Sequence, residues 1–325
     1  MLLAGDVGGT KTLLGLFEHN DTRPIPVEIR HFHTADFADL TALIVEFLRR
    51  ADRRDRIDGA CFAVAGPVAG GRAWLTNVSW HVDAAEIASR FQLPGTWLLN
   101  DLEAMAWAIP ILEPAELAVL QTGVPDPRGN AALIAAGTGL GVAIIHNVEG
   151  RFVPFPSEGG HTDFAPRTAR ERELHESLAH EYGRVEWEHL VSGPGLVRIH
   201  RFLHPRGCLN VPANLPTTDI PPLISTSALE GRCPDCVETL TMFVSMYGAA
   251  ARNLALTAVA TAGLYVGGGI APKILVALKT PNFLDSFNAK SPMGDLLQRI
   301  PIRVILNSQT ALLGAAASLG TRVKQ

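Results

Sequence analysis

The sequence has few cysteines, few charged residues and no excess of positive charge, and each shortage excludes a class of protein. Four cysteines in 325 residues are too few for the disulfide framework of a small secreted domain. Charged residues make up 18% of the chain and hydrophobic residues 47%, which excludes a disordered chain and supplies a large core. The net charge of −4 and the pI near 6.3 give no indication of a nucleic-acid or acidic-membrane partner.

The chain also lacks the patterns of secreted and membrane proteins. No basic segment precedes the first apolar residues, and Asp6 interrupts them, so no secretory signal is predicted and a cytoplasmic protein is expected. The segment from Asn253 to Pro272 carries no charge, which would permit a transmembrane helix. Four glycines and Pro272 interrupt this segment, so we interpret it as a helix end, a buried strand from Leu264 to Val266 and a glycine turn.

The cysteines include one C-x-x-C pair, Cys233-Pro-Asp-Cys236. His204 and Cys208 precede this pair, so a zinc site of one histidine and three cysteines is one interpretation. The spacing is loose and a second C-x-x-C pair is missing. Reduced cysteines near a helix start are therefore favoured, and no zinc is expected.

Apolar runs that are typical of strands alternate along the chain with helical patterns, which predicts an α/β fold with much parallel sheet. Predicted strands include Gly59 to Ala65, Thr96 to Leu99, Ala131 to Ala136, Val142 to His146, Leu264 to Val266 and Arg303 to Leu306. Predicted helices include Leu40 to Arg50, Ala84 to Phe91, Glu103 to Ile109, Arg170 to Ala179, Asp235 to Ala260 and Thr310 to Leu319.

The length favours two α/β lobes, and a weak internal repeat supports them. A strand, a turn of glycine and threonine and a second strand occur from Leu2 to Phe17 and again from Leu133 to Ile145. We predict a small lobe of residues 1–111 with about 304–325 and a large lobe of residues 112–303. A cleft between such lobes would be the expected ligand site.

The most informative segment is Gly5-Asp6-Val7-Gly8-Gly9-Thr10-Lys11-Thr12, which lies between two apolar runs. Glycines in a hairpin turn let backbone N–H groups approach a phosphate, and Thr10 adds a hydroxyl donor. Asp6 could hold a phosphate-bound Mg²⁺. Neither the Walker A pattern nor the dinucleotide pattern G-x-G-x-x-G fits the segment. It predicts a phosphate-binding hairpin in an ATP-using enzyme, and an ordinary tight hairpin is the alternative.

Polar residues follow a predicted buried strand at Asn100-Asp101. Ligands of open α/β sheets bind beyond the carboxyl ends of the strands, where a carboxylate could accept a hydroxyl proton. This segment alone favours a simpler role for Asp101, as the cap of the following helix.

Three other segments carry groups suited to binding. Glu158 and His161 flank two glycines, so both could face one polar ligand, and a solvated loop is the alternative. Glu186 and Glu188 precede a sharp break at Ser192 to Gly195, and their spacing does not separate a ligand contact from a surface position. Gly267 to Pro272 follows a buried strand, where a base or phosphate could pack against backbone.

Taken in order, these segments resemble the bacterial glucokinase family, within the superfamily of hexokinases, Hsp70 and actin. The resemblance covers about 310 residues. Its motifs are Gly5 to Thr12, Leu75-Thr76-Asn77 with Trp80, Asn100-Asp101, Gly137 to Gly141, Glu158 to His161 with Asp163 to Pro166, Leu190 to Leu196, Gly268 to Pro272 and Leu312 to Ala315.

The resemblance implies two ribonuclease-H-like (actin-like ATPase) lobes around a central cleft, and transfer of phosphate from ATP to the 6-hydroxyl of glucose. It implies that Asp101 is the general base and that Asp6 holds Mg²⁺ through water. Sugar contacts are implied for Asn77, Asn100, Asp101, Glu158, His161 and Glu188. ATP contacts are implied for Gly5, Asp6, Val7, Gly8, Gly9, Thr10, Gly137, Thr138, Gly139, Gly268, Gly269 and Ile270.

The resemblance further implies ATP and Mg²⁺ as cofactors, no zinc, a homodimer, and no nucleic-acid or membrane partner. The zinc-binding pattern C-x-C-G-x-x-G-C of the related ROK sugar kinases is absent. Three alternatives stay open: a kinase for mannose, fructose or an N-acetyl sugar, a sugar-responsive ROK-type regulator, and an actin-like ATPase. A regulator would need an N-terminal helix-turn-helix, which is not expected here.

Overall fold

The structure is a computed structural model that describes residues 1–51, 56–75, 78–212 and 215–322. It has a mixed α/β fold, as the sequence predicts. The strands are β1 (Leu2–Val7), β2 (Lys11–Glu18), β3 (Ile25–His33), β4 (Gly59–Val64), β5 (Val68–Ala69), β6 (Arg72–Trp74), β7 (His81–Asp83), β8 (Thr96–Asn100), β9 (Leu117–Gln121), β10 (Ala131–Ala136), β11 (Leu140–Val148), β12 (Arg151–Ser157), β13 (Gly263–Gly267) and β14 (Ile302–Ile305).

The helices alternate with these strands along much of the chain. They are α1 (Leu40–Arg50), α2 (Ala84–Phe91), α3 (Asp101–Ala108), α4 (Ala169–Tyr182), α5 (Gly193–Leu203), α6 (Ile220–Leu229), α7 (Pro234–Ala258), α8 (Leu275–Leu278), α9 (Pro281–Asn288), α10 (Gly294–Arg299) and α11 (Thr310–Arg322). The predicted bounds of α1, α2 and β10 are confirmed residue for residue.

The chain divides into two compact units, Met1–Glu113 with Asn307–Gln325, and Pro114–Leu306. The second unit ends after β14, because β14 pairs with both β13 and β9 in one sheet. The predicted division at about residue 304 lies within this strand, and the first unit resumes a few residues later, at Asn307. Helix α11 then packs against α3, β1 and β4 of the first unit.

The main sheets of the two units have related strand orders. The first sheet runs β3-β2-β1-β4-β8 and the second β12-β11-β10-β13-β14-β9. In each, three antiparallel strands are followed by two parallel ones, β4 and β8 or β13 and β14. Both hairpins of the predicted internal repeat are present, as β1 with β2 and β10 with β11.

The first sheet is buried on both faces, which explains why β1 and β4 are continuous apolar runs. Side chains alternate between the faces of a strand. Leu3 and Phe62 accordingly join one core cluster, with residues of α1 and α2, while Leu2 and Cys61 join another, with residues of α3 and α11. In the second unit the 25-residue helix α7 is central to the core and packs against α5, α6 and α9.

The uncharged segment from Asn253 to Pro272 is the end of α7, the buried strand β13 and a following turn, so the sequence interpretation is confirmed. Among the described residues, the structure contains no helix with the length and apolar character needed to cross a membrane. Gly5 and Asp6 belong to β1, so the first hairpin turn is limited to Gly8–Thr10.

Candidate functional site

Hydrogen bonds from Thr34 hold the first hairpin turn in place. The Thr34 backbone N–H donates to the Thr10 carbonyl oxygen at 3.0 Å, and its hydroxyl donates to the Gly8 carbonyl oxygen at 2.8 Å. The same hydroxyl lies 2.9 Å from that of Thr12, and both side chains are buried. These bonds use carbonyl groups of the turn. Sequence patterns did not indicate a role for Thr34, because only the pairing of β2 with β3 brings it to the turn.

Two of the residues predicted to contact ATP have a packing role in β1. A Cβ atom at Gly5 would lie 2.5 Å from the Phe62 ring and 2.9 Å from Leu14, so the glycine makes room for the core. The Val7 side chain is fully buried. A ligand could therefore contact Gly5 and Val7 only through their backbone atoms.

Asp6 carries the most perturbed carboxyl group of the first unit. Burial raises its pKa from the ordinary 3.8 to about 6, the negative charge of Asp101 adds to this rise, and Lys11 opposes it. The negative charges of Asp6 and Asp101 disfavour each other, and a divalent cation bound nearby would stabilise both carboxylates in their charged form. The residues present therefore fit the Mg²⁺ that the sequence resemblance implied at Asp6.

Replacing Asp6 by asparagine is expected to stabilise the fold at pH 7.5. A carboxyl group with a raised folded-state pKa binds more protons folded than unfolded, so its contribution to stability falls as the pH rises from about 4 to about 6. With a pKa of about 6, the cost above pH 7 is about 3 kcal/mol. Urea unfolding of Asp6→Asn and the parent chain should thus differ by this amount at pH 7.5 and by little near pH 4.

The exposed Asp36 supplies the matched control, because it lies near the same turn with its side chain 70% exposed. Asp36→Asn should leave the free energy of unfolding nearly unchanged at both pH values. Equal stability of Asp6→Asn and the parent chain at pH 7.5 would contradict the raised pKa of Asp6.

Asn100 caps helix α3, which is the role that the local sequence pattern favoured for Asp101. Its Oδ1 atom accepts the Leu102 backbone N–H at 2.9 Å, and its Nδ2 atom donates to the Gly66 carbonyl oxygen at 3.1 Å. The favoured interpretation of Asp101 as the cap was therefore wrong by one residue. Asp101 is the first residue of α3, at the carboxyl end of β8, and its Oδ1 atom also accepts the Leu102 N–H at 2.9 Å.

In the second unit, Glu188 connects the second hairpin turn with a segment of polar side chains. Its Oε2 atom accepts the backbone N–H of Leu140, the first residue of β11, at 2.8 Å. The hairpin turn closes through a 2.8 Å bond from the Gly137 N–H to the Gly139 carbonyl oxygen. The N–H of Gly193, which begins α5, donates to the Gly137 carbonyl oxygen at 2.8 Å. Glu188, the turn and the start of α5 are thus one hydrogen-bonded group.

The segment Glu158 to His161 packs against this group. Gly160 lies so close to the Leu140 carbonyl oxygen that a Cβ atom there would overlap with it. The His161 Nδ1 atom is 2.9 Å from Glu186 Oε2, and this hydrogen bond is the main cause of the raised pKa of His161. The nearby carboxylates of Glu188 and Glu158 raise that pKa further. Glu186 therefore orients the His161 ring, a role that sequence spacing alone did not assign.

The glycine turn after β13 lies beside the end of β10. Gly268 has a φ of +82°, and a Cβ atom there would overlap with the Ala136 carbonyl oxygen. That oxygen accepts the Ile270 N–H at 3.2 Å. The fully buried Tyr247 accepts the Ala136 N–H at 3.1 Å and donates to the Gly267 carbonyl oxygen at 3.4 Å. The sequence did not single out Tyr247, because it lies inside an apolar helix.

The sequence-predicted residues thus fall into one group in each unit. The first unit brings Asp6, Asn100 and Asp101 to the ends of β1 and β8, beside the first turn. The second unit brings together Glu158, His161, Glu188, the turn Gly137 to Gly139 and the turn Gly268 to Ile270 at the ends of β10 and β13. Asn77 lies outside the described residues. Backbone N–H groups of glycine turns suit phosphates, and the carboxylates with His161 suit a polyhydroxylated ligand.

Comparison with known proteins gives a consistent result. The family model described as Glucokinase matches residues 3–322. A curated glucokinase of Nostoc punctiforme is 39% identical over 334 residues, with 97% of this chain and 98% of the relative covered. The crystal structure of a glucokinase from an Antarctic psychrotroph has a TM-score of 0.88 at 30% identity, and 98% of each chain is covered. A glucokinase of Balamuthia mandrillaris in complex with glucose has a similar fold, with a TM-score of 0.76 at 21% identity and 98% and 93% of the two chains covered.

Proposed function

This chain belongs to the Glucokinase family and phosphorylates glucose with ATP, and we propose that Asp101 is the base that accepts the proton of the sugar 6-hydroxyl. The observation that best supports a phosphoryl-transfer site in this chain is the contact of Glu188 with Leu140. It joins a carboxylate suited to a sugar hydroxyl directly to a glycine turn suited to phosphate. A phosphoryl-transfer site needs these two kinds of group side by side.

The phosphates of ATP are assigned to the two hairpin turns. Backbone N–H groups of Gly9 and Thr10 and of Thr138 and Gly139 would donate to phosphate oxygens, as in other anion-binding turns. The N–H groups of Gly8 and Gly137 donate to the Lys11 and Gly139 carbonyl oxygens and shape the two turns. Gly5, Asp6 and Val7 complete the first segment, and Gly5 and Val7 would act through their backbone atoms. The adenosine is assigned to Gly268, Gly269 and Ile270, where a turn without side chains leaves room for a base beside the end of β10.

The sugar is assigned to Glu158, His161 and Glu188 in the second unit, and to Asn100 and Asp101 in the first. Carboxylates accept hydrogen bonds from hydroxyl groups, and a charged His161 would donate through Nε2 because Nδ1 is bonded to Glu186. Asn100 keeps one amide hydrogen and one lone pair beyond its bonds to Gly66 and Leu102. Asn77 is proposed to support the same sugar.

In the transfer step, a bond forms between the 6-oxygen of glucose and the γ-phosphorus of ATP. The bond from that phosphorus to the bridging oxygen breaks, ADP leaves, and Asp101 takes the hydroxyl proton. Mg²⁺, held by Asp6 through water, would neutralise negative charge on the phosphates. The raised pKa of Asp6 means that this carboxylate is half ionised near pH 6 and mostly charged only above about pH 7.

The wider arrangement is also proposed from the family. The two units would form ribonuclease-H-like lobes around a central cleft, a small one with the first hairpin and Asp101, and a large one with the sugar and adenosine contacts. The chain is proposed to act as a homodimer in the cytoplasm, where glucose 6-phosphate feeds glycolysis. Size-exclusion chromatography with light scattering measures the proposed dimer directly.

The test is ATP consumption by purified protein with Mg²⁺, first without sugar and then with a panel of hexoses at low concentration. Strong stimulation by glucose, with glucose 6-phosphate as product, is expected. Stronger stimulation by mannose, fructose or an N-acetyl sugar would change the assigned substrate but leave the proposed mechanism unchanged. ATP hydrolysis at a rate that does not depend on sugar would favour an actin-like ATPase, and absence of ATP turnover would favour a sugar-responsive regulator.

A further inference from the structure

Three of the four cysteines form a cluster in the second unit, away from the residues assigned to the sugar and to ATP. The sulfur atoms of Cys208, Cys233 and Cys236 all lie within 4.8 Å of one another. Cys208 belongs to the segment after α5, while Cys233 and Cys236 flank the first turn of α7. All three are free thiols. The sequence separates Cys208 from the C-x-x-C pair, and only the fold places them together.

The spacing of the sulfur atoms matches a tetrahedral metal site. The Cys208 and Cys236 sulfur atoms are 3.8 Å apart. Four sulfur atoms arranged tetrahedrally at about 2.3 Å from Zn²⁺ are about 3.8 Å from one another. A disulfide needs a separation of about 2.05 Å, so the two sulfur atoms are not bonded, and their separation fits two ligands of one ion.

The surroundings of Cys233 suit a metal ligand. Backbone N–H groups of Cys236 and Asp235 donate to its sulfur. Cys233 is 6% exposed and Cys236 fully buried. Bonds from backbone N–H groups to a thiolate are the kind of outer contacts that fix a ligand in a metal site.

We propose that Cys208, Cys233 and Cys236 bind one Zn²⁺ ion, which connects the segment after α5 to the start of α7. No fourth ligand atom among the described His, Cys, Asp and Glu residues lies within the same 4.8 Å, so water completes the tetrahedron. His204 lies beside the first turn of α7, with its Nδ1 atom 3.6 Å from the Asp235 carboxylate and its Nε2 atom 3.6 Å from the Glu238 carboxylate. Its ring nitrogens face these carboxylates, so it is not among the proposed ligands.

The site would stabilise the second unit and take no part in phosphoryl transfer. Helix α7 carries Tyr247, which joins the strand ends beside Gly268, and packs against α5, α6 and α9. Fixing its first turn to the segment after α5 constrains the folded state and not the unfolded one, so Zn²⁺ binding adds to the stability of the unit.

The first experiment measures metal in the protein expressed with zinc and purified without a polyhistidine tag or chelator. We expect about one zinc per chain, which Cys208→Ala, Cys233→Ala and Cys236→Ala each lose. The matched control is Cys61→Ala, which removes the remaining thiol, fully buried in β4, and should keep the zinc. Stripping the parent chain with a chelator should lower its thermal unfolding midpoint, and added Zn²⁺ should restore it.

A second measurement does not depend on whether the variants fold. Co²⁺ added to the stripped parent chain should give thiolate-to-metal charge-transfer absorption and the visible bands of a tetrahedral site, and Zn²⁺ should abolish both. Zinc at background level with no cobalt spectrum would overturn the proposal. So would an intramolecular disulfide in the freshly purified chain, or a coloured iron–sulfur cluster in place of zinc.

Discussion

Asp101→Asn is expected to lower kcat for glucose phosphorylation by about 10² to 10⁴, because general-base catalysis contributes about that factor. The fold should be retained, since asparagine keeps the oxygen that accepts the Leu102 N–H. Stability should not fall, because the change removes a negative charge that disfavours ionised Asp6. The KM for glucose should change much less than kcat. Steady-state kinetics with saturating ATP and Mg²⁺ measures both quantities.

Asp295→Asn is the matched control for this experiment. Asp295 also lies in the first turn of a helix, α10, and is exposed. Its replacement removes the same charge from the same type of position, so kcat should stay close to that of the parent chain. A turnover of Asp101→Asn near that of the parent would exclude Asp101 as the base and return it to a local role at the start of α3.

Gly268→Ala is expected to destabilise the protein by about 2–5 kcal/mol, from left-handed backbone strain together with overpacking. The φ of +82° disfavours any side chain, and the new Cβ atom would overlap with the Ala136 carbonyl oxygen. Relief requires moving the turn away from β10, which breaks the Ile270 bond to the same oxygen. Since this turn is assigned to adenosine, the KM for ATP should rise with little change in the KM for glucose. Urea unfolding and kinetics measure the two effects.

The neighbouring Gly269 is the control, because it lacks a positive φ and a Cβ atom there would meet nothing within 4 Å. Gly269→Ala should leave the free energy of unfolding within about 1 kcal/mol of the parent value. If the two alanine variants were equally stable, the strain at Gly268 would be refuted. If Gly268→Ala lost stability but kept its KM for ATP, only the adenosine assignment would fail.

The sequence by itself predicted the two hairpins, the parallel strands of both main sheets and six of the helices, but not β3, β9, β12 or α5. A strand in the middle of a sheet that is buried on both faces is apolar at successive positions. Such apolar runs, which include Leu3 and Phe62, therefore predict strands. The glycine turns after β1 and β10 are local features, since glycines between two apolar runs indicate a turn whatever the rest of the fold. The roles of the carboxylates at Asp101, Glu158 and Glu188 were implied by the resemblance of the ordered motifs to a family, since the local pattern alone favoured a cap for Asp101 and assigned no role to Glu188.

Only the tertiary structure decided which polar groups meet. Thr34 reaches the first turn through the pairing of β2 with β3, and Tyr247 reaches the second through the packing of α7 under the sheet. Glu186 binds His161 across 25 residues, and Cys208 joins Cys236 across 28. A local pattern records whether a side chain is buried or exposed. The partner of a polar group depends on distances between segments far apart in the chain, which are set when the hydrophobic cores close.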